Sequence, residues 1–250
     1  MASIADDAGP PPVGAARKVR SRFFANSSIV IAALIVVTFA RTYFVPLATG
    51  SAQFIMLRHV HGAVFFAWLA LYVVQSNLVA AGRVRLHREL GLAVVAVSGM
   101  MLPLGFWMAV REIEEKLAQR ARFPFEVAAY NFFDLSLFAC SMAGAVYFAT
   151  RELEWHRRLV YVAAICLLGP AISRWIDFVP LKYPLLDASP NIVADLFLVA
   201  LALHDWRARG RVHPVTIVAA AILGPFNFLE PLIARSATWS ELAPHIFGFR

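Results

Sequence analysis

GRVRLHRELG (Gly82–Gly91), RELEWHRRLV (Arg151–Val160) and RARGRVHPVT (Arg207–Thr216) decide the fold. Each is a short basic stretch that places a histidine, His87, His156 or His213, at the same point ahead of a long apolar run. Each joins two segments of membrane length, so all three hairpins must lie at one face of a bilayer.

The composition agrees with that reading. Of 250 residues, 60% are hydrophobic and 16% charged, with a mean hydropathy of +0.66. A soluble domain carries roughly a quarter charged residues, so a bilayer is the expected solvent and lipid the expected surroundings. The net charge of +7 does not point to nucleic acid. The basic residues stand beside apolar segments and not along one helix face, a pattern that orients a membrane protein. Cys140 and Cys166 fall inside apolar runs and imply packing, not a disulfide framework.

An all-α polytopic bundle of seven transmembrane helices is expected, because a crossing needs about 20 residues. The runs are Phe23 to Val45, His59 to Ala80, Leu90 to Val110, Phe125 to Ala149, Leu159 to Val179, Asn191 to Leu203 extended to Trp206, and Val212 to Ala234. Residues 1–22 read as a disordered basic tail, 23–234 as the membrane domain and 235–250 as an outer tail. The first run continues to Val45 without a convincing cleavage site, as an uncleaved helix does.

With the N-terminus inside, the inner segments hold Arg17, Lys18, Arg20, Arg22, Arg83, Arg85, Arg88, Arg151, Arg157, Arg158, Arg207, Arg209 and Arg211. Their acids are only Asp6, Asp7, Glu89, Glu152, Glu154 and Asp205, and the remainder of the chain balances to zero. Positive charge therefore predicts a cytoplasmic N-terminus, cytoplasmic hairpins and an outer C-terminus in a bacterial inner membrane. The mixed-charge loop REIEEKLAQRAR (Arg111–Arg122) reads as a solvated spacer with a short surface helix on Ile113 and Leu117. CLLGPAIS (Cys166–Ser173) and AILGPFNF (Ala221–Phe228) hint at related helical hairpins.

The stretch His59–Gly91, HVHGAVFFAWLALYVVQSNLVAAGRVRLHRELG, with EWHRRL and the later arginine in GPAISRW, resembles the bacterial multi-pass membrane proteins of the DUF2306 group. The likeness covers about Arg58 to Trp175 and departs at TFARTYF (Thr38–Phe44), where Arg41 stands in place of an apolar residue or proline. It implies the membrane fold and no activity. The chain is also similar, over few residues, to di-haem cytochromes of the b561 type.

Two polar constellations stand out. Asp134, Arg174, Asp177, Asp195, Asn227 and Glu230 all fall about 5 to 15 Å from the outer surface at 1.5 Å per residue, and His61 at the head of the second helix and Asn131 one turn from Asp134 join them. Ionisable groups in a membrane cost about 2.5 to 3.5 kcal/mol each, so they face one another or a wet cavity. An outward-opening pocket for a small molecule or ion follows, in a sensor or transporter, with Arg174 neutralising Asp134. The surplus acids and His61 are also of metal-ligand type, which keeps a metal-assisted enzyme open. No HExxH, CxxC, GxSxG or phosphate-loop pattern names a reaction. At the inner boundary, His87, His156, His204 and His213 share one depth, and imidazoles facing across a bundle suit haem b, with the first three as the alternative cofactor set. A helix-capping or lipid-facing role accounts for the same histidines. Gln75 and Asn77 are expected to bond across the bundle and the six tryptophans to anchor at the interfaces.

Overall fold

The computed structural model describes residues 22–176 and 189–249. Among these the chain is helical, with no strand. The elements are α1 (Phe23–Thr49), α2 (Met56–Ala80), α3 (Val84–Ala118), α4 (Glu126–Phe148), α5 (Leu153–Trp175), α6 (Ser189–Arg209), α7 (Pro214–Ala234) and α8 (Ala237–Phe247). Six of them, α1 to α5 and α7, are long and apolar enough to cross a membrane. At 21 residues α6 has the length, but Asp195, His204, Asp205, Arg207 and Arg209 lower its apolar character.

Glycine makes two of the basic hairpins tight. Gly82 follows α2 with φ +79° and Gly210 follows α6 with φ +69°, left-handed positions that an L side chain adopts only under strain. Gly50 ends α1 in the same way at φ +67°. Within α1, Ala40–Phe44 winds as a π-helical turn around Arg41. Just beyond Arg41, Tyr43 Oη and His59 Nδ1 share a 2.7 Å hydrogen bond. Such turns interrupt a helix at a cost and are concentrated at functional sites.

The bundle is built around α5. Its most apolar stretch is 61% buried, against 17 to 33% for the other five spans, so it is the central helix. Its own Tyr161 and Leu168, and Ile31, Trp68, Met101, Phe138 and Leu201 of its neighbours, have none of their surface exposed. The outward side chains are as apolar as the inward ones, among them Leu92, Leu196 and Leu232 at 60% exposure or more. Water would penalise that surface and lipid does not. The chain is a multi-pass membrane protein.

Several expected boundaries move. α3 starts at Val84, so His87 lies inside its first turn. The same helix runs on to Ala118, which makes Arg111–Ala118 a continuation of α3 and not a separate surface helix. Ile113 is fully buried there while Leu117 is 42% exposed, so the two do not form one surface stripe. α5 begins at Leu153 and breaks at Leu167, between Leu153–Cys166 and Leu168–Ile176. The break lies three residues before Pro170, which lacks the N–H that would bond the Cys166 carbonyl. The similar LGP in α7 leaves that helix unbroken through Pro225, so the two stretches are not conformational copies.

The C-terminal tail is part of the fold. In α8, Phe247 stacks on Phe106 with ring centres 5.1 Å apart, and Trp239 Nε1 donates to the Phe125 carbonyl at 2.9 Å. Trp68 is likewise a core residue and no interface anchor: it is fully buried and donates to Ser98 Oγ at 2.8 Å. Trp107, Trp175 and Trp206 are about half exposed or more, as anchors are.

Candidate functional site

Two polar centres occupy opposite ends of the bundle. At the basic-hairpin end, Arg158 of α5 and Asp205 of α6 form a salt bridge with neither side chain exposed. Arg158 Nε lies 3.0 and 3.2 Å from the two Asp205 carboxylate oxygens. Thr216 Oγ1 and the His213 backbone N–H also donate to Asp205 Oδ2, at 2.6 and 3.1 Å. Glu154 accepts from Arg158 at 2.6 Å, from Arg157 at 2.5 Å and from Arg209 at 3.3 Å. The network ties α5, α6 and α7 where their hairpins meet. Every lone pair of Asp205 that burial takes from water is satisfied, which is what keeps a buried ion pair from being a liability. Sequence reading counted these residues only as topological charge; the signal it passed over is the acid at Asp205 inside an otherwise basic segment.

The histidines of that end separate into three environments. His213 caps α7, its Nδ1 accepting the Val215 N–H at 3.2 Å. Burial, then the Arg158 and Arg209 cations, lowers its pKa to about 4. His204 stacks on Phe23 with ring centres 4.2 Å apart. Only His87 and His156 meet, at 6.2 Å. The set of three expected to serve a cofactor is therefore not one cluster.

In the opposite half, the expected outer residues divide into four groups. Asn191 Nδ2 donates to Glu230 Oε2 at 2.8 Å, joining the first turn of α6 to the last turn of α7. Glu230 is 1% exposed and its Oε1 is buried with no hydrogen-bond partner. Asp134 of α4 is the acid that interacts with it electrostatically. Asp134 makes no hydrogen bond or ion pair among the described residues. The Asn191 and Asp134 side chains close over Gly169, just past the break in α5: a Cβ there would lie 2.3 Å from Asn191 Oδ1 and 3.6 Å from Asp134 Oδ2. Asp195 is separate, with its Oδ1 held by Asn227 Nδ2 at 2.7 Å.

Arg174 does not neutralise Asp134. Its guanidinium lies over the Phe39 ring at 4.2 Å, and its charge acts on His61 and Glu112. The physical reason is helical phase: Arg174 turns toward α1 to α3, whereas Asp134 faces Gly169 and α7. His61 stacks on Phe65 at 4.1 Å and pairs with none of Asp134, Asp195 or Glu230. Among the described residues no three His, Cys, Asp or Glu side chains are grouped to hold a metal, so the four-helix ligand set expected for a metal enzyme does not assemble. Asn131 lines an apolar groove of about 220 Å³ with Leu102, Gly105, Leu135 and Phe247. Asp177 lies outside the described residues. Asn191 and Gly169 are the members that sequence reading missed; both stand at helix boundaries, where Asn and Gly are commonplace.

Gln75 and Asn77 do not bond across the bundle as expected. Asn77 donates to the Val73 carbonyl of its own helix at 2.8 Å, and Gln75 Oε1 is buried without a partner. Comparison with protein-family models, curated proteins and solved structures gives no match.

Proposed function

We propose that this protein is a seven-helix bacterial inner-membrane protein that binds a small cation, a proton exchanging with an alkali metal ion, between Asp134 and Glu230. The observation that carries the reading is the free Oε1 of fully buried Glu230 beside an Asp134 that has no cationic partner. A buried carboxylate next to a second acid is repelled by it when both are ionised, and a bound cation or proton relieves that repulsion.

The backbone supports the same assignment. Ion sites in membrane transporters are built where a helix is interrupted, because freed carbonyls add neutral oxygen ligands. Pro170 leaves the Cys166 carbonyl without its helical donor, one turn from Gly169. With the basic hairpins cytoplasmic, the site belongs to the outer half and serves ion-coupled transport or sensing.

Infrared difference spectroscopy on the purified protein in liposomes tests this. Replacing choline chloride by sodium chloride at pH 7 should remove a protonated-carboxyl band and release protons to a dye in the medium. Asp134→Asn and Glu230→Gln should each abolish the sodium effect. An unchanged response in both variants, or no carboxyl band and no sodium effect in the parent protein, refutes the assignment.

A further inference from the structure

His87 and His156 carry a second site, independent of the carboxylate pair. They occupy the first turns of α3 and α5, with ring centres 6.2 Å apart and planes inclined at 75°. His156 Nδ1 lies 2.8 Å from the Ala145 carbonyl. A carbonyl only accepts, so that nitrogen carries the proton and Nε2 keeps its lone pair. The Gln75 backbone carbonyl lies beside the His87 ring. His87 Nδ1 is buried with no hydrogen-bond partner.

His156 is thus fixed by a backbone carbonyl through one nitrogen and left open at the other, and His87 keeps an open Nδ1. Metal-binding histidines are arranged this way, the carbonyl setting both tautomer and orientation. A buried ring nitrogen without a partner, as at His87 Nδ1, is costly unless something occupies it. Gln75 Oε1, on the residue whose carbonyl lies beside His87, is also buried and unpartnered.

Geometry and charge narrow the occupant. With an imidazole nitrogen about 2.0 Å from a metal, and the ring centre about 1.1 Å beyond it, two rings on one ion are separated by at most about 6.2 Å. The observed spacing therefore suits a nearly linear N–metal–N bridge. Four-coordinate Zn(II) brings two rings closer and needs further ligands, and no third His, Cys, Asp or Glu joins the pair among the described residues. The charged group beside the His87 ring is the Arg88 cation, so a single positive charge is admitted at lower cost than two.

We infer that His87 and His156 bind a soft monovalent transition-metal ion, Cu(I), through two imidazole nitrogens.

The test is an anaerobic titration of the purified full-length protein with Cu(I) against a chromophoric chelator, followed by copper X-ray absorption. One equivalent should bind with two nitrogen neighbours and no sulfur. His87→Gln and His156→Gln should each weaken binding by about 100-fold or more, while Asp134→Asn leaves it unchanged. Sulfur in the copper shell, copper retained in both histidine variants, or equal binding of Zn(II) overturns the assignment. A trans pair of haem ligands has the same ring separation, so haemin is added in a parallel arm. A Soret band that depends on both histidines would replace copper by haem. If a histidine variant misfolds, the absorption spectrum of the parent protein decides alone.

Discussion

Asn191 Nδ2 donates to Glu230 Oε2 across 2.8 Å, and the same amide turns its Oδ1 onto Gly169, so one side chain bridges three helices. The bond positions Glu230 with one oxygen used and one open, which is the feature on which the cation site rests.

Gly169→Ala tests that bridge. The new Cβ would stand 2.3 Å from Asn191 Oδ1, and the amide cannot withdraw without releasing Glu230. A loss of about 1 to 3 kcal/mol is expected, with the sodium response lost as well. Shortening the partner by Asn191→Ala should relieve the clash, so the double variant should lose less than the two single losses combined. Additive losses in thermal unfolding would show that the two positions do not touch.

The Arg158–Asp205 pair predicts a strongly asymmetric double-mutant cycle. Asp205→Asn alone leaves a buried guanidinium short of its anion and should cost about 3 to 5 kcal/mol. Arg158→Met with Asp205→Leu removes both charges and should recover much of that loss. Denaturant unfolding in mixed micelles measures it, and a double variant as weak as the worse single one would contradict the account.

His213 gives the hairpin end an acid sensitivity. Its pKa is about 4 in the folded protein, below the ordinary 6.5, so folding favours the neutral ring that accepts from Val215 N–H. The contribution is complete above pH 6.5 and is lost as pH falls toward 4. His213→Asn keeps a cap acceptor without titrating there. Melting temperature should therefore fall less steeply for the variant than for the parent between pH 6.5 and 4, and parallel curves would exclude His213 as the source.

Orientation is open to a direct check. A reporter active only in the cytoplasm should work when fused after Arg85, Glu154 or Arg209, and fail after Gln119 or Ser236. The reversed pattern would invert the bundle and place the carboxylate pair in the cytoplasmic half.

What the sequence determined alone was the membrane class and the hairpin plan. Runs of apolar residues and the charges between them act locally, through backbone hydrogen bonding in lipid and through charge at its surface, so they are legible without a partner. The three hairpins meet at one end, as RLHREL, EWHRRL and GRVHPV imply, and His213 takes the capping role that its place before Pro214 allows. Depth was legible too: Asp134 and Glu230 lie in the same half of the bundle.

Tertiary structure decided who faces whom. Depth follows from counting residues, but azimuth depends on how each helix is rotated against its neighbours. Arg174 accordingly turns to Phe39 and away from Asp134, and His61 leaves the acids. Helix boundaries were hidden for a related reason: whether Ile113 continues α3 or floats on the surface depends on Trp239 and Phe247 returning from the distant C-terminus to bury it. The break at Leu167, the closure over Gly169 and the open nitrogens of His87 and His156 exist only once α5 stands at the centre, because packing alone fixes which polar atoms keep a partner.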